Sequence, residues 1–89
     1  MGAIQIRCIN KLDRNSKHEG ITHVGDGTTK WPRAYVVARI EAKENSYYTL
    51  VDGNRADVGV VTPAHGEKFL RTYADGKWND NLLALMECR

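Results

Sequence analysis

The stretch Asp80-Asn81-Leu82-Leu83-Ala84-Leu85-Met86-Glu87-Cys88 constrains the fold most, because three leucines and a methionine in so short a span are too apolar to stay in water. It must lie against something built earlier in the chain. The nearest candidate is Gly66 to Thr72 (Gly-Glu-Lys-Phe-Leu-Arg-Thr), which reads as a strand and is followed by a turn at Ala74-Asp75-Gly76.

The remaining elements follow from local pattern. Ala3 to Ile9 alternates in part, with Ile4, Ile6 and Cys8 on one face and Gln5 and Arg7 on the other, as in a half-buried strand. Lys11 to Gly20 is polar and reads as a loop, Ile21 to Val24 is a short strand, and Gly25-Asp26-Gly27 ends it. Thr28 or Thr29 is then expected to cap a helix with Pro32 in its first turn. Ala34, Val36, Val37 and Ile40 recur at helical spacing, which predicts an amphipathic helix over 33–43. Ser46 to Val51 and Arg55 to Thr62 are strands joined at Asp52-Gly53, a strong hairpin signal. A two-residue turn places Tyr47, Thr49 and Val51 on one face with Ala56, Val58 and Val60. A three-residue turn brings in Tyr48 and Leu50 instead. The first is preferred because it leaves Arg55 and Asp57 together on the solvent side.

The expected fold is therefore α+β: a small, mostly antiparallel sheet of four to five strands with one helix, in the order ββαβββ, and the C-terminal tail packed on the sheet. At 89 residues the chain is read as one domain, 1–89, that hides roughly 60–65% of its unfolded surface. No internal repeat or linker is evident. Met1 to Asn10 contains Gln5 and Arg7 and no long apolar stretch, so no secretory signal is expected, and no run approaches the length of a membrane span. Two cysteines are too few for a disulfide framework. The expectation is a cytoplasmic protein, with both thiols reduced and no membrane contact.

Several residues together resemble a known prokaryotic family. Cys8-Ile9-Asn10-Lys11, Asp13-Arg14, His18-Glu19 and Ile21 are similar to the opening of the family catalogued as domain of unknown function 3892. Trp31 before a helix, Ile40-Glu41 at its close, the pair Tyr47-Tyr48, Lys68-Phe69-Leu70-Arg71-Thr72, Asp75-Gly76 and Asp80-Asn81-Leu82-Leu83 follow in the same order. The most specific part is the ending, whose family pattern is D-N-L-L-x-L-P-E-C. This chain departs from it at Met86, where proline is usual, and at Gly20, where arginine is common. The resemblance implies the extent of the domain and no activity.

No catalytic constellation rises out of the remaining residues. His18 and His23 are close but Cys8, His65 and Cys88 are scattered, whereas metal sites favour closely spaced ligand pairs, so no metal and no cofactor are expected. Cys8 falls on a core-facing strand position, which favours an inert thiol. Gly25-Asp26-Gly27-Thr28-Thr29-Lys30 lacks the glycine-lysine adjacency of a phosphate loop, and a capped helix start accounts for it better.

Net charge is +2, with eight Lys and Arg against five Asp and Glu in residues 1–45 and five against six in the rest. Arg7, Lys11, Arg14, Lys17 and His18 are therefore the candidates for a nucleic-acid-binding strip, with Trp31, Tyr47 and Tyr48 as stacking faces. Asp13 and Glu19 interrupt that strip, and strand aromatics usually belong to a core. The favoured expectation is a non-catalytic interaction or accessory module. Its protein partner, or a second copy of the chain, would dock on Tyr48, Leu50 and Val61, which the preferred hairpin register points outward.

Overall fold

The first apolar run does not stay in one sheet. In the computed structural model, which describes residues 3–13 and 15–88, Ala3–Gln5 forms β1 and Cys8–Lys11 forms β2. Between them the chain changes partners: the Ile6 amide donates to the Tyr48 carbonyl at 2.7 Å, and the next amide, Arg7, donates to the Gly25 carbonyl at 2.8 Å. The remaining elements are β3 (Ile21–Gly25), β4 (Lys30–Pro32), α1 (Arg33–Glu41), β5 (Ser46–Val51), β6 (Asn54–Val61), β7 (Phe69–Ala74), β8 (Lys77–Asn79) and β9 (Met86–Glu87). Single 3-10 turns lie at His18–Gly20 and Leu82–Ala84.

The protein is thus a small α+β fold with one helix, but the single expected sheet is two sheets. One has the order β1-β5-β6-β7-β8 and the other β4-β3-β2-β9. Each is mixed, since β1 runs parallel to β5 and β9 runs parallel to β2. The order ββαβββ therefore gives way to ββββαβββββ, because the first expected strand divides into β1 and β2, and β4, β8 and β9 are too short for alternation to reveal them.

The Asp52-Gly53 turn has φ of 50° and 79°, the left-handed pair of a type I′ hairpin. Its two-residue register pairs Val51 with Asn54, Leu50 with Arg55 and Thr49 with Ala56. Tyr47, Thr49, Ala56 and Val58 are buried as that register requires, and Arg55 and Asp57 stand exposed and 3.7 Å apart. Asp75-Gly76 repeats the geometry, with φ of 54° and 77°, and joins β7 to β8.

The helix is shorter than its apolar pattern suggests and is not capped as expected. Pro32 holds the N-cap position at φ −61°, ψ 149°, with no side-chain cap. Thr28 and Thr29 instead donate their backbone N–H groups to the Asp26 carboxylate at 2.9 and 2.7 Å, which closes the turn into β4. Val36 and Val37 of α1 pack with Ile6, Ile9, Ile21, Val24, Tyr47, Val58, Leu70 and Leu82 in one core between the sheets.

The tail is docked, as its leucines demand. Leu82 is fully buried, and β9 pairs Met86 with Cys8 and Glu87 with Ile9. Met86, where the resembled family usually has proline, thus lies in an extended, paired strand. The buried Thr72 hydroxyl donates to Asn79 Oδ1 at 2.6 Å and accepts from the Leu82 amide at 3.3 Å. Beyond β9, Cys8 and Cys88 form a disulfide, with Cα atoms 4.8 Å apart. The expectation of two reduced thiols is corrected accordingly. A pairing across a separation of 80 residues leaves no trace in local spacing.

Two consequences are measurable. Reducing the disulfide, or substituting Cys88→Ser, should lower the unfolding free energy by up to about 4 kcal/mol in urea titrations, because a closed loop of this length restricts the unfolded chain. Thr72→Val keeps the shape but strands the buried Leu82 amide. It should cost about 1–3 kcal/mol, while Thr72→Ser retains most of that stability.

Candidate functional site

A sheet with its apolar side turned inward presents every second side chain to the other face. On the five-stranded sheet α1 and the second sheet lie with Tyr47, Val58 and Leu70. The opposite face carries Tyr48 and Leu50 of β5, Arg55, Asp57, Gly59 and Val61 of β6, Phe69, Arg71 and Tyr73 of β7, and Trp78 of β8. Leu50, Tyr73 and Trp78 are 47%, 39% and 48% exposed.

Tyr73 and Trp78 face each other across the β7–β8 pair with ring centres 5.6 Å apart at 78°, an edge-to-face contact. Gly59 lies beneath them, where a Cβ would come within 3.0 Å of the Tyr73 ring and 3.4 Å of Trp78. Its lack of a side chain lets both rings lie down on the sheet. The Arg55 guanidinium covers the Tyr48 ring at 4.2 Å, and Val61 pairs with Phe69, both half-buried.

Tyr48, Leu50 and Val61, the residues singled out by the hairpin register, thus share one face. The more exposed aromatic pair, Tyr73 and Trp78, escaped notice. Its signal was there: aromatics one position outside the residues flanking a two-residue Asp-Gly turn fall opposite each other.

The basic residues of the N-terminal half do not line up. Arg7 is exposed where β2 begins, and Lys11 is half-buried at its other end, about 13 Å along the strand. Lys17 is exposed, His18 is buried, and Arg14 lies outside the described residues. Trp31 and Tyr47 meet each other edge to face, with Tyr47 only 2% exposed, so burial pushes the Tyr47 hydroxyl pKa up. Among the described residues no three His, Cys, Asp or Glu side chains converge as metal ligands.

His18 instead joins the loop before β3 to the tail. Its buried Nε2 has no hydrogen-bond partner among the described residues and stands 3.7 Å from Asp80 Oδ1, which Arg71 also approaches at 3.5 Å. Burial holds the imidazole below its ordinary pKa, and nearby Arg71 adds to this, while Asp80 and Glu19 oppose it. A histidine with a depressed folded-state pKa leaves stability intact above its unfolded value near 6.5 and removes it as pH falls below that. His18→Gln should therefore flatten the loss of stability on acidification from pH 7 toward 5, read from urea titrations at successive pH values.

The family described as Protein of unknown function (DUF3892) matches residues 5–86, nearly the whole chain, while no curated protein and no solved structure matches significantly. Its match spans β2, the core of both sheets and the docked leucines, and on that extent the chain belongs to the DUF3892 family.

Proposed function

We propose that this domain is a non-catalytic interaction module that docks a protein partner through the outer face of its five-stranded sheet. The observation that carries the reading is the exposed Tyr73–Trp78 pair laid over Gly59, with Leu50 exposed on the same face. Rigid aromatics of this kind are frequent anchors of protein interfaces, since few rotatable bonds are frozen on contact.

The first candidate partner is a second copy of the chain. Arg55 and Asp57 project together from β6 on that face, exposed by 59% and 53%, so two copies related by a two-fold axis can pair each arginine with the partner's aspartate. A net charge of +2 opposes such pairing only weakly. The alternative of single-stranded nucleic acid has less support, because Arg55 already occupies a face of the Tyr48 ring and His18 is withdrawn from the basic strip. The disulfide also bears on compartment: it supports an oxidising one in place of the reducing cytoplasm expected from two free thiols.

Sedimentation equilibrium over a concentration series tests the reading. The wild type should associate, and Trp78→Ser should weaken association by about tenfold or more without changing the circular dichroism. A monomer at every concentration, indifferent to Trp78→Ser and Leu50→Ser, would remove the proposal. Salt-dependent retention of a single-stranded oligonucleotide that is lost on combining Arg7→Ala with Lys11→Ala would favour the alternative.

A further inference from the structure

The Cys8–Cys88 disulfide closes the last strand against the edge of the second sheet, and little else secures that strand. Met86 is 74% exposed and Glu87 is exposed too, so β9 buries almost no apolar surface of its own. Past its two paired residues the Cys88 amide donates to the Ile9 carbonyl at 3.0 Å, and Asn10 Nδ2 donates to the Cys88 carbonyl at 3.2 Å. The docked tail also strands an acceptor: Asn10 Oδ1 is buried with no hydrogen-bond partner among the described residues. Upstream the tail is fastened independently, with Leu82 fully buried and its amide on the Thr72 hydroxyl at 3.3 Å.

The bridge is open to attack. A cavity of about 170 Å³ lies between residues 27–29 and β9, and both cysteines line it. Cys8 is only 7% exposed, whereas Cys88 is half-buried, so Cys88 offers the more accessible sulfur.

We propose that this disulfide is a reducible latch: a small dithiol opens it in the folded protein and frees residues 86–88 from β2, while the core stays intact. One thiolate of the dithiol attacks Cys88 Sγ and forms a mixed disulfide. The bond between the two cysteines breaks, and its electron pair leaves on Cys8 Sγ, which takes a proton from water. The second thiol, once deprotonated, displaces Cys88 Sγ as a thiolate that is protonated in turn. The dithiol ends as a cyclic disulfide, oxidised by two electrons, and both cysteines end as thiols.

Release follows from what remains. A two-residue strand with so little burial opens locally at small cost, and water satisfies Asn10 Oδ1 once the tail moves away. Leu83 and Leu85, half-buried against the core, end the fixed part of the tail. The outer edge of β2 is then uncovered, whereas the Tyr73–Trp78 face belongs to the other sheet and is untouched. The redox state of the surroundings thereby decides whether β2 has a free edge.

Hydrogen exchange read by two-dimensional NMR, with and without dithiothreitol, tests the latch. In the reduced protein the Cys88 amide should lose protection by about tenfold or more relative to the Leu82 amide and those of β6 and β7. Alkylation followed by mass spectrometry should show free cysteines appearing at a rate that low urea leaves unchanged, since the attack needs no global unfolding. Cys88→Ser should show the same selective loss at residue 88 without any reductant. If that variant does not fold, the reduced wild type still decides. Retained protection at Cys88 after reduction, equal loss at Cys88 and Leu82, or thiol release that rises with urea in step with global unfolding would each overturn the proposal.

Discussion

Two successive backbone amides, Ile6 and Arg7, donate to different sheets, and the rest of the architecture depends on that step. A strand that belongs to one sheet up to Ile6 and to the other from Arg7 onward fixes the two layers against each other. It also drives the fully buried Ile6 side chain into the space between them. The Arg7 amide ends on the carbonyl of Gly25, a residue with no room for a side chain. A Cβ there would lie 2.7 Å from the Thr29 carbonyl and about as close to both sulfurs of the Cys8–Cys88 bridge, at 3.0 and 3.1 Å. Crossing strand, glycine and disulfide therefore occupy one small volume.

The tail follows from this geometry. With β2 displaced into the second sheet, its outer edge is open, and β9 fills it in parallel. Leu82 has by then been set into the core, its amide held by Thr72, so β9 arrives at β2 with little freedom of path. A short strand of two residues would pair weakly alone. The Cys88 amide to the Ile9 carbonyl at 3.0 Å, the Asn10 side chain to the Cys88 carbonyl at 3.2 Å and the disulfide together hold it.

What could be read from residues alone divides along the range of the interactions. Both Asp-Gly turns were legible, and the register at Asp52-Gly53 followed from placing Arg55 and Asp57 in solvent, because a hairpin is settled by its own few residues. The need of Leu82 for burial was equally plain. The helix was visible in the spacing of Val36, Val37 and Ile40, but its cap was misjudged: Lys30–Pro32 pairs with β3 as a strand, so the helix starts only at Arg33, out of reach of the Thr28 and Thr29 side chains. The sheet crossing, the disulfide and the burial of His18 in an otherwise polar run all depend on partners distant in sequence, and periodicity is silent about those.

The same division separates the aromatic face from the groove beside Arg33. Tyr73 and Trp78 stand where they do because a type I′ turn and a two-residue register leave them no other pairing, and Gly59 lets them lie flat. Their geometry is therefore set by the fold alone. The groove between α1 and residues 66–68 is built the opposite way. One wall is a helix locked into the core through Val36 and Val37, and the other is a segment without regular hydrogen bonding, fastened by the Glu67 and Lys68 ion pairs. An ion pair with so exposed a carboxylate holds that wall weakly, whereas the aromatic face is finished by its own hairpin.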